Sequence, residues 1–320
     1  MKAKLIIHSS LMAILAISLT FTSCSKKDDT DITTVDDTNE QGTNASDESR
    51  FQAESEQGAD DANAVIQGIP TVSGKTDGLS AINLCNASID TTQKSIGLIK
   101  ITYSGNNCAG TKSRSGSISI QFPYDVSNGV TKWKTAGCKI SLTFEHFKVT
   151  RLSDNKSLTI DGSKSISNLN GGLLKHITPG ATIIHSMRGN MNVTFDNGTQ
   201  RQWQIARKRS FSLTGTTLIA TLYGDTTIGT NTAIATWGTN RVGDNFFITI
   251  PTPIVIAAYG SSCLYEPKSG VRVFKGIKRE MTVTYGVNAD GTKSMADCPY
   301  GYKLNWTNVK GVMKQVIKPY

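Results

Sequence analysis

The chain has 320 residues, a formal net charge of +9 and 38% hydrophobic residues, enough to bury one large core. The total conceals a division. Residues 25–74 hold three basic residues (Lys26, Lys27 and Arg50) against twelve acidic, a net of −9, whereas residues 75–320 hold 29 basic (34 less the five before residue 75) against 13 acidic (25 less twelve), a net of +16. The acidic stretch has hardly any large apolar side chains, which excludes it as a core-bearing domain and predicts a disordered tether.

At the N-terminus, Lys2 and Lys4 precede a mostly apolar run from Leu5 to Phe21, the pattern of a secretory signal over residues 1–23. Interrupted by His8, Ser9, Ser10 and Ser18, the run is at or below the length of about 17–25 residues that a spanning helix needs. Phe21-Thr22-Ser23-Cys24 resembles a bacterial lipobox, with Phe21 where Leu is commoner. The resemblance implies that Cys24 is acylated, becomes the mature N-terminus and has no catalytic role. Each buried CH₂ of an acyl chain contributes about 0.8 kcal/mol, and more than one chain makes the anchorage stable. The following Ser25-Lys26-Lys27-Asp28-Asp29 resembles the lysine-then-acidic export signal of Bacteroidota lipoproteins, which implies an outer-membrane location facing the cell exterior. Residues 24–74 are then the lipidated cysteine and its acidic tether, which as a flexible coil spans roughly 35–40 Å.

From residue 75 onward the pattern is β. Ile118, Ile120 and Phe122 alternate with Ser117, Ser119 and Gln121; Ile140, Leu142 and Phe144 alternate with Lys139, Ser141 and Thr143. Met191, Val193 and Phe195 do the same before Asn197-Gly198, a hairpin signal because such turns favour positive φ. The next stretch puts Arg201, Trp203, Ile205, Arg207, Arg209, Phe211 and Leu213 on one strand face. Short runs continue to 311–317 with no sustained helical periodicity. The expectation is an all-β domain over residues 75–320, about 12–14 antiparallel strands in meander order, forming an extended curved sheet or a sandwich.

Without Cys24, five cysteines remain in an exported chain where disulfides form. Locality favours Cys85 with Cys108 and Cys263 with Cys298, leaving Cys138 as a buried strand residue. No C-x-x-C pair exists and the body histidines at 146, 176 and 185 are scattered, so no metal site or cofactor is expected.

Catalytic motifs are equally scarce. Ser153-Asp154-Asn155-Lys156 superimposes S-x-x-K on S-D-N, and Lys134-Thr135-Ala136-Gly137 lies nearby, an order unlike the penicillin-binding enzymes, where these elements are far apart. A Ser-Asp-Asn turn accounts for the first of them. Asp125, Glu145, Asp161, Asp196 and Glu266 are the carboxylates a glycosidase pair would draw on, and none stands out. The expectation is a chain without catalytic residues.

Binding is the stronger reading. A +16 body attracts polyanions, at an outer surface lipopolysaccharide phosphates, acidic glycans or extracellular DNA. The alternatives are simple solubility and attraction to the chain's own acidic segment. No motif points to specific nucleic-acid recognition. Trp133, Trp203, Trp237 and Trp306 are candidates for stacking on sugar rings, with strand core as the competing role. Arg201, Trp203, Arg207 and Arg209 form the candidate ligand-binding set, joining ring stacking to guanidinium groups suited to sulfate, phosphate or carboxylate. The competing role for Arg207 and Arg209 is a partly buried network.

The segments "GLIKITYSGNNCAGTKSRSGSISIQF", "KISLTFEHFKV", "LTIDGSKSISN", "MNVTFDNGTQRQWQIARKRSFSLTG", "SGVRVFKG" and "REMTVTYG" resemble uncharacterised surface lipoproteins of Bacteroidota built from repeated G-x-I-x-I strands. Arg114-Ser115-Gly116 matches the family's R-S-G before a strand, and Arg207 and Arg209 match its R-x-R; the late "VTYGVNADGTKSMADCPYG" departs by inserted residues. The resemblance implies a signal peptide, a lipid anchor and a long antiparallel β domain with no established activity. Asp90-Thr91-Thr92 and Asp225-Thr226-Thr227 resemble the D-T-x acceptor for O-glycosylation in the same group. The functional expectation is a noncatalytic surface lipoprotein, held to the membrane by its lipid, that binds an anionic polysaccharide or lipopolysaccharide; the alternatives are a structural component contacting an outer-membrane protein and, third, a glycan-cleaving enzyme.

Overall fold

The computed structural model describes residues 37–75, 84–240, 243–259, 263, 266–277, 279–307 and 311–320. The expected signal segment, the expected acylation site Cys24 and the expected export signal at 25–29 lie outside the described residues. Helix α1 (Asp37–Gly68) and the short α2 (Pro70–Ser73) come first. Strands follow: β1 (Ala87–Asp90), β2 (Leu98–Asn106), β3 (Lys112–Gln121), β4 (Tyr124–Asp125), β5 (Gly129–Val130), β6 (Cys138–Arg151), β7 (Ser157–Asn168), β8 (Thr182–Phe195) and β9 (Gln200–Thr214). The rest are β10 (Thr217–Gly224), β11 (Thr226–Ile228), β12 (Asn231–Thr239), β13 (Asn245–Tyr259), β14 (Pro267–Ile277), β15 (Arg279–Val287), β16 (Gly301–Thr307) and β17 (Met313–Pro319).

Among the described residues, 15 strands join one antiparallel sheet, running β1-β2-β3-β6-β7-β8-β9-β10-β13-β14-β15-β16-β17 with β11 and β12 off this path; β4 pairs with β5 alone. The antiparallel meander is the expected fold class, realised as one sheet with slightly more strands than the sequence suggested. It departs from a simple meander at one place. β10 pairs with the C-terminal parts of β9 and β13, while β12 pairs with their N-terminal parts. Ile99 and Ile101 of β2 share a single apolar cluster with Phe274 of β14 and Val283 of β15, and Leu304 and Trp306 of β16 pack against it. Strands from both ends of the sheet therefore surround one interior.

The alternation read from the sequence sets which side chains enter that interior. In β6, Cys138, Ile140, Leu142 and Phe144 are buried, and Phe147 and Val149 resume the pattern. Between them one extra residue is accommodated, because Ser115 pairs with Lys148 but Ser117 pairs with Glu145. His146 takes φ 49° at this bulge, so Glu145 and His146 both face outward and the inward phase survives. Gly116 opposite is required by contact: a Cβ there would lie 2.1 Å from the His146 carbonyl oxygen. The β8–β9 hairpin falls at Asn197-Gly198 as expected, but only Gly198 has positive φ (80°). Phe195 N–H donates to Thr199 O at 2.9 Å, the longer hairpin loop with a left-handed glycine.

The acidic stretch differs from its expected state. Residues 37–68 form a helix of 32 residues, about 48 Å long, and every residue from Phe51 to Ala59 is buried. Val65, Ile66, Ile69 and Val72 extend the same apolar cluster. The disordered tether is thus corrected over residues 37–73, and the body begins before residue 75. Close seating is built in at Gly58, where a Cβ would lie 2.7 Å from both Ile118 and Phe144. The segment orders although its own apolar surface is small, because the sheet supplies both apolar walls and counter-charges.

Cys85 is bonded to Cys108 and Cys263 to Cys298, with Cα–Cα distances of 5.1 and 5.5 Å. Cys138 is free and buried, its thiol pushed up to about 11 by burial. A second apolar cluster gathers Ile183, Phe211, Leu222, Ile250 and Ile254. His185 bridges the two interiors, 5.1 Å from the Trp133 ring on one side and 5.1 Å from Phe211 on the other. Burial there pushes its imidazole down to about 4.

Candidate functional site

β9 carries the predicted ligand-binding set, and its alternation places Trp203, Arg207 and Arg209 on the interior face as read from the sequence. That face is not open. Trp203 is 1% exposed and meets the Phe51 ring of α1 edge-on, with centroids 4.6 Å apart, and Phe246 at 5.5 Å. Arg207, 2% exposed, donates from Nη1 to Glu56 Oε1 at 3.3 Å and from Nη2 to Thr236 Oγ1. Arg209 forms an ion pair with the other oxygen of Glu56 and reaches Asp60 at 3.7 Å. Arg201 lies at the strand's far end, donating to the backbone oxygens of Asn240 and Gln200. The candidate site is corrected accordingly: Trp203, Arg207 and Arg209 hold the chain's own helix, and Arg201 secures a loop.

Other strands complete the cradle. Lys164 of β7, fully buried, donates to Ser55 O at 2.8 Å and Ser55 Oγ at 3.0 Å, with Glu56 at 3.8 Å. Burial lowers its ammonium to about 7, Arg207 adding to the shift and Asp60 opposing it. Arg114 of β3 pairs with Asp61 at 2.9 Å, stacks 4.7 Å over the Tyr103 ring, and shares Asp61 with the Tyr103 hydroxyl at 2.9 Å. Burial raises the Asp61 carboxyl, opposed chiefly by Arg114. Lys112 reaches Glu54 at 2.7 Å, and Arg50 of the helix donates to carbonyl oxygens of Val149 and Lys156. Glu54, Glu56, Asp60 and Asp61 of α1 thus meet Lys112, Arg114, Lys164, Arg207 and Arg209 of the sheet. A charge taken from water without a partner costs several kcal/mol, so each side of this contact requires the other. Arg207 and Arg209 were legible as candidates and Arg114 only as part of a motif; Lys112, Lys164 and the acidic partners Glu56 and Asp61 were missed. The available signal was the opposite sign of the two halves, with Val65, Ile66, Ile69 and Val72 at helical spacing behind the acids.

The remaining candidates fall elsewhere. Trp133, 3% exposed, is core, and Trp306 packs against the same cluster. Trp237 stays partly exposed on the opposite face of the sheet, because its neighbour Thr236 is the one turned inward. Ser153-Asp154-Asn155 forms the β6–β7 turn, with Asp154 paired to Arg151 and Asn155 at φ 54°. Of the carboxylates, Glu145 accepts from Lys100 and Ser117, both at 2.8 Å, and these bonds hold it below the usual range. Asp161 accepts from the His146 backbone N–H at 2.7 Å, and Asp125 caps its own turn through Ser127 and Asn128. Asp225 of the second acceptor-like triplet is engaged by Arg188 and Lys208.

No protein-family model, no curated protein and no solved structure matches the chain.

Proposed function

We propose that this is a lipid-anchored envelope protein of the outer membrane, held through acylated Cys24 and facing outward, whose β body acts without catalysis as a glycan-binding module. The reading belongs with the G-x-I-x-I surface lipoproteins that the sequence resembles. One observation carries the binding mode: Glu56 sits among Lys164, Arg207 and Arg209, so the strongest basic and aromatic face is committed internally. What meets a partner is the outward face, rich in serine, threonine, asparagine and glutamine. This turns the expected anionic ligand toward a glycan held by hydrogen bonds and ring stacking.

The test uses the mature chain with Cys24→Ser, passed over immobilised envelope polysaccharide at low and physiological salt. Retention that persists in salt is expected; retention that vanishes points to a polyanion held by charge alone, because counterion release makes such affinity salt-dependent. Metabolic labelling with palmitate, lost in Cys24→Ala, tests the anchor separately. A structural role against an outer-membrane protein is the second reading, favoured by the sheet edge: β17 ends the strand order, and Met313 at its start is 75% exposed. An edge strand accepts an added strand from a partner.

A further inference from the structure

The outward face contains a continuous row of cross-strand neighbours. Thr143 pairs with Ser163, Ser163 with Asn190, Asn190 with Gln204, Gln204 with Trp237, and Trp237 with Phe247. Directly paired residues in an antiparallel sheet project from the same face. The row's inward flanks confirm which face this is: Met191, Trp203, Ile205, Phe246 and Ile248 are all buried. Thr143, Ser163 and Asn190 are exposed, whereas Gln204, Trp237 and Phe247 are partly exposed. Six strands at about 4.8 Å spacing give a strip about 24 Å long. Hydroxyls and amides make up four of its positions and two rings end it.

The strip carries no formal charge. Where the row continues, its lysines are matched: Lys100 by Glu145 at 2.8 Å and Lys275 by Glu280 at 3.4 Å. A polyanion finds no unmatched cation along it. A pyranose chain has the complementary chemistry: C–H groups on the ring faces suit an indole, while hydroxyls around the rim exchange hydrogen bonds with amides and hydroxyls. A few placed polar groups beside an apolar contact are the usual composition of a small-molecule site.

We propose that Trp237 and Phe247 form a stacking subsite for an uncharged oligosaccharide that lies across the strands, its hydroxyls held by Gln204, Asn190 and Ser163. This rests on the glycan-binding reading above and names its subsite and ligand class. An aromatic pair on neighbouring strands also supports the sheet itself, so the experiment separates affinity from folding.

The mature chain with Cys24→Ser is titrated with neutral hexasaccharides of glucose, mannose, galactose and xylose, and with heparin, at physiological salt. At least one neutral hexasaccharide is expected to bind. Trp237→Ala should weaken it about tenfold or more, the scale of a lost ring-stacking contact, and Gln204→Ala by several-fold. Trp237→Leu keeps apolar bulk between β9 and β13 and should lose affinity to the same extent while retaining the parent's thermal midpoint. Trp306→Phe, on the interior side, should bind as the parent does. Neutral binding unchanged in both Trp237 variants overturns this subsite and leaves the glycan reading standing. Binding of heparin alone overturns the neutral ligand class, and binding of nothing in the panel overturns both.

Discussion

The two faces of β9 make the most instructive contrast in the molecule. Trp203 and Gln204 are adjacent, as are Arg207 and Lys208, yet each pair is divided between different environments. Trp203 and Arg207 sit against the helix, buried to 1% and 2% exposure; Gln204 and Lys208 face outward and are partly exposed. Composition ranks the first pair as the better ligand site, and the fold makes it the better structural joint. A guanidinium beside an indole recognises an anion wherever it comes from, and here the anion is Glu56 of the same chain. The shared face of Trp203, Arg207 and Arg209 was legible, while what occupies it depended on tertiary structure.

Removing one side altogether should break the contrast most severely. A chain of residues 75–320 is expected to show no cooperative unfolding transition, because it lacks Phe51, Val65, Ile66 and Val72 from the main cluster and keeps inward cations without counter-charges. A peptide of residues 37–74 added in trans should restore dispersed amide signals in an NMR spectrum. A cooperative fold from 75–320 alone would mean that α1 is a passenger on a self-sufficient sheet.

The next effect is that of a single carboxylate. Glu56→Ala leaves Arg207, Arg209 and Lys164 facing an empty position, and should cost about 3–5 kcal/mol in denaturant unfolding, the range for breaking a buried pair on one side. A loss below about 1 kcal/mol, typical of exposed pairs, would show water reaching the cluster.

Acid should act through His185. Its folded value of about 4 lies below the ordinary value of about 6.5, so the unfolded chain takes up the proton first. Its contribution is fully present above about pH 6.5 and is lost as pH falls toward 4, by about 3 kcal/mol over that window. Unfolding series at pH 7, 5.5 and 4.5 should show this slope reduced in His185→Gln; an equal slope in the variant would take the loss away from His185, and the buried Asp61, whose carboxyl burial raises, acts in the opposite direction and would not supply it.

The smallest effect belongs outside. Lys100 and Glu145, whose side chains are 45% and 46% exposed, should couple by no more than about 1 kcal/mol in a double-mutant cycle. A larger coupling would make the outward pairs part of the framework.

The legible parts of the fold were those written in local pattern. Alternation gave the inward residues of β3, β6, β8 and β9, and locality gave Cys85–Cys108 and Cys263–Cys298. The bulge at His146 was not readable, because its cause is the outward turn of two consecutive residues, visible only against β3 and β7. α1 escaped for a different reason. A helix buried all round from Phe51 to Ala59 needs no single apolar face, and its buried Gln52, Glu54, Glu56 and Gln57 imitate a solvated segment. Hydrophobicity measures affinity for oil, and this interior is lined in part by cations. Comparing the charge of the two halves pointed to the contact without locating it.

The helix also sets an order of events in folding. Its residues leave the ribosome before the whole sheet, yet the side chains that hold it lie far along the chain: Lys112 is 58 residues beyond Glu54, Lys164 109 beyond Ser55, and Arg207 151 beyond Glu56. Contacts of such sequence separation form slowly, because the intervening loops must close first. A segment synthesised before the sheet is therefore among the last to be enclosed. Its acidity suits the interval, keeping the waiting helix solvated until the basic strands that receive it are in place. The sheet in turn cannot finish its main interior until the helix arrives, because Phe51, Val65, Ile66 and Val72 belong to that cluster, whereas the second cluster, which holds no residue of the helix, is free to form before it.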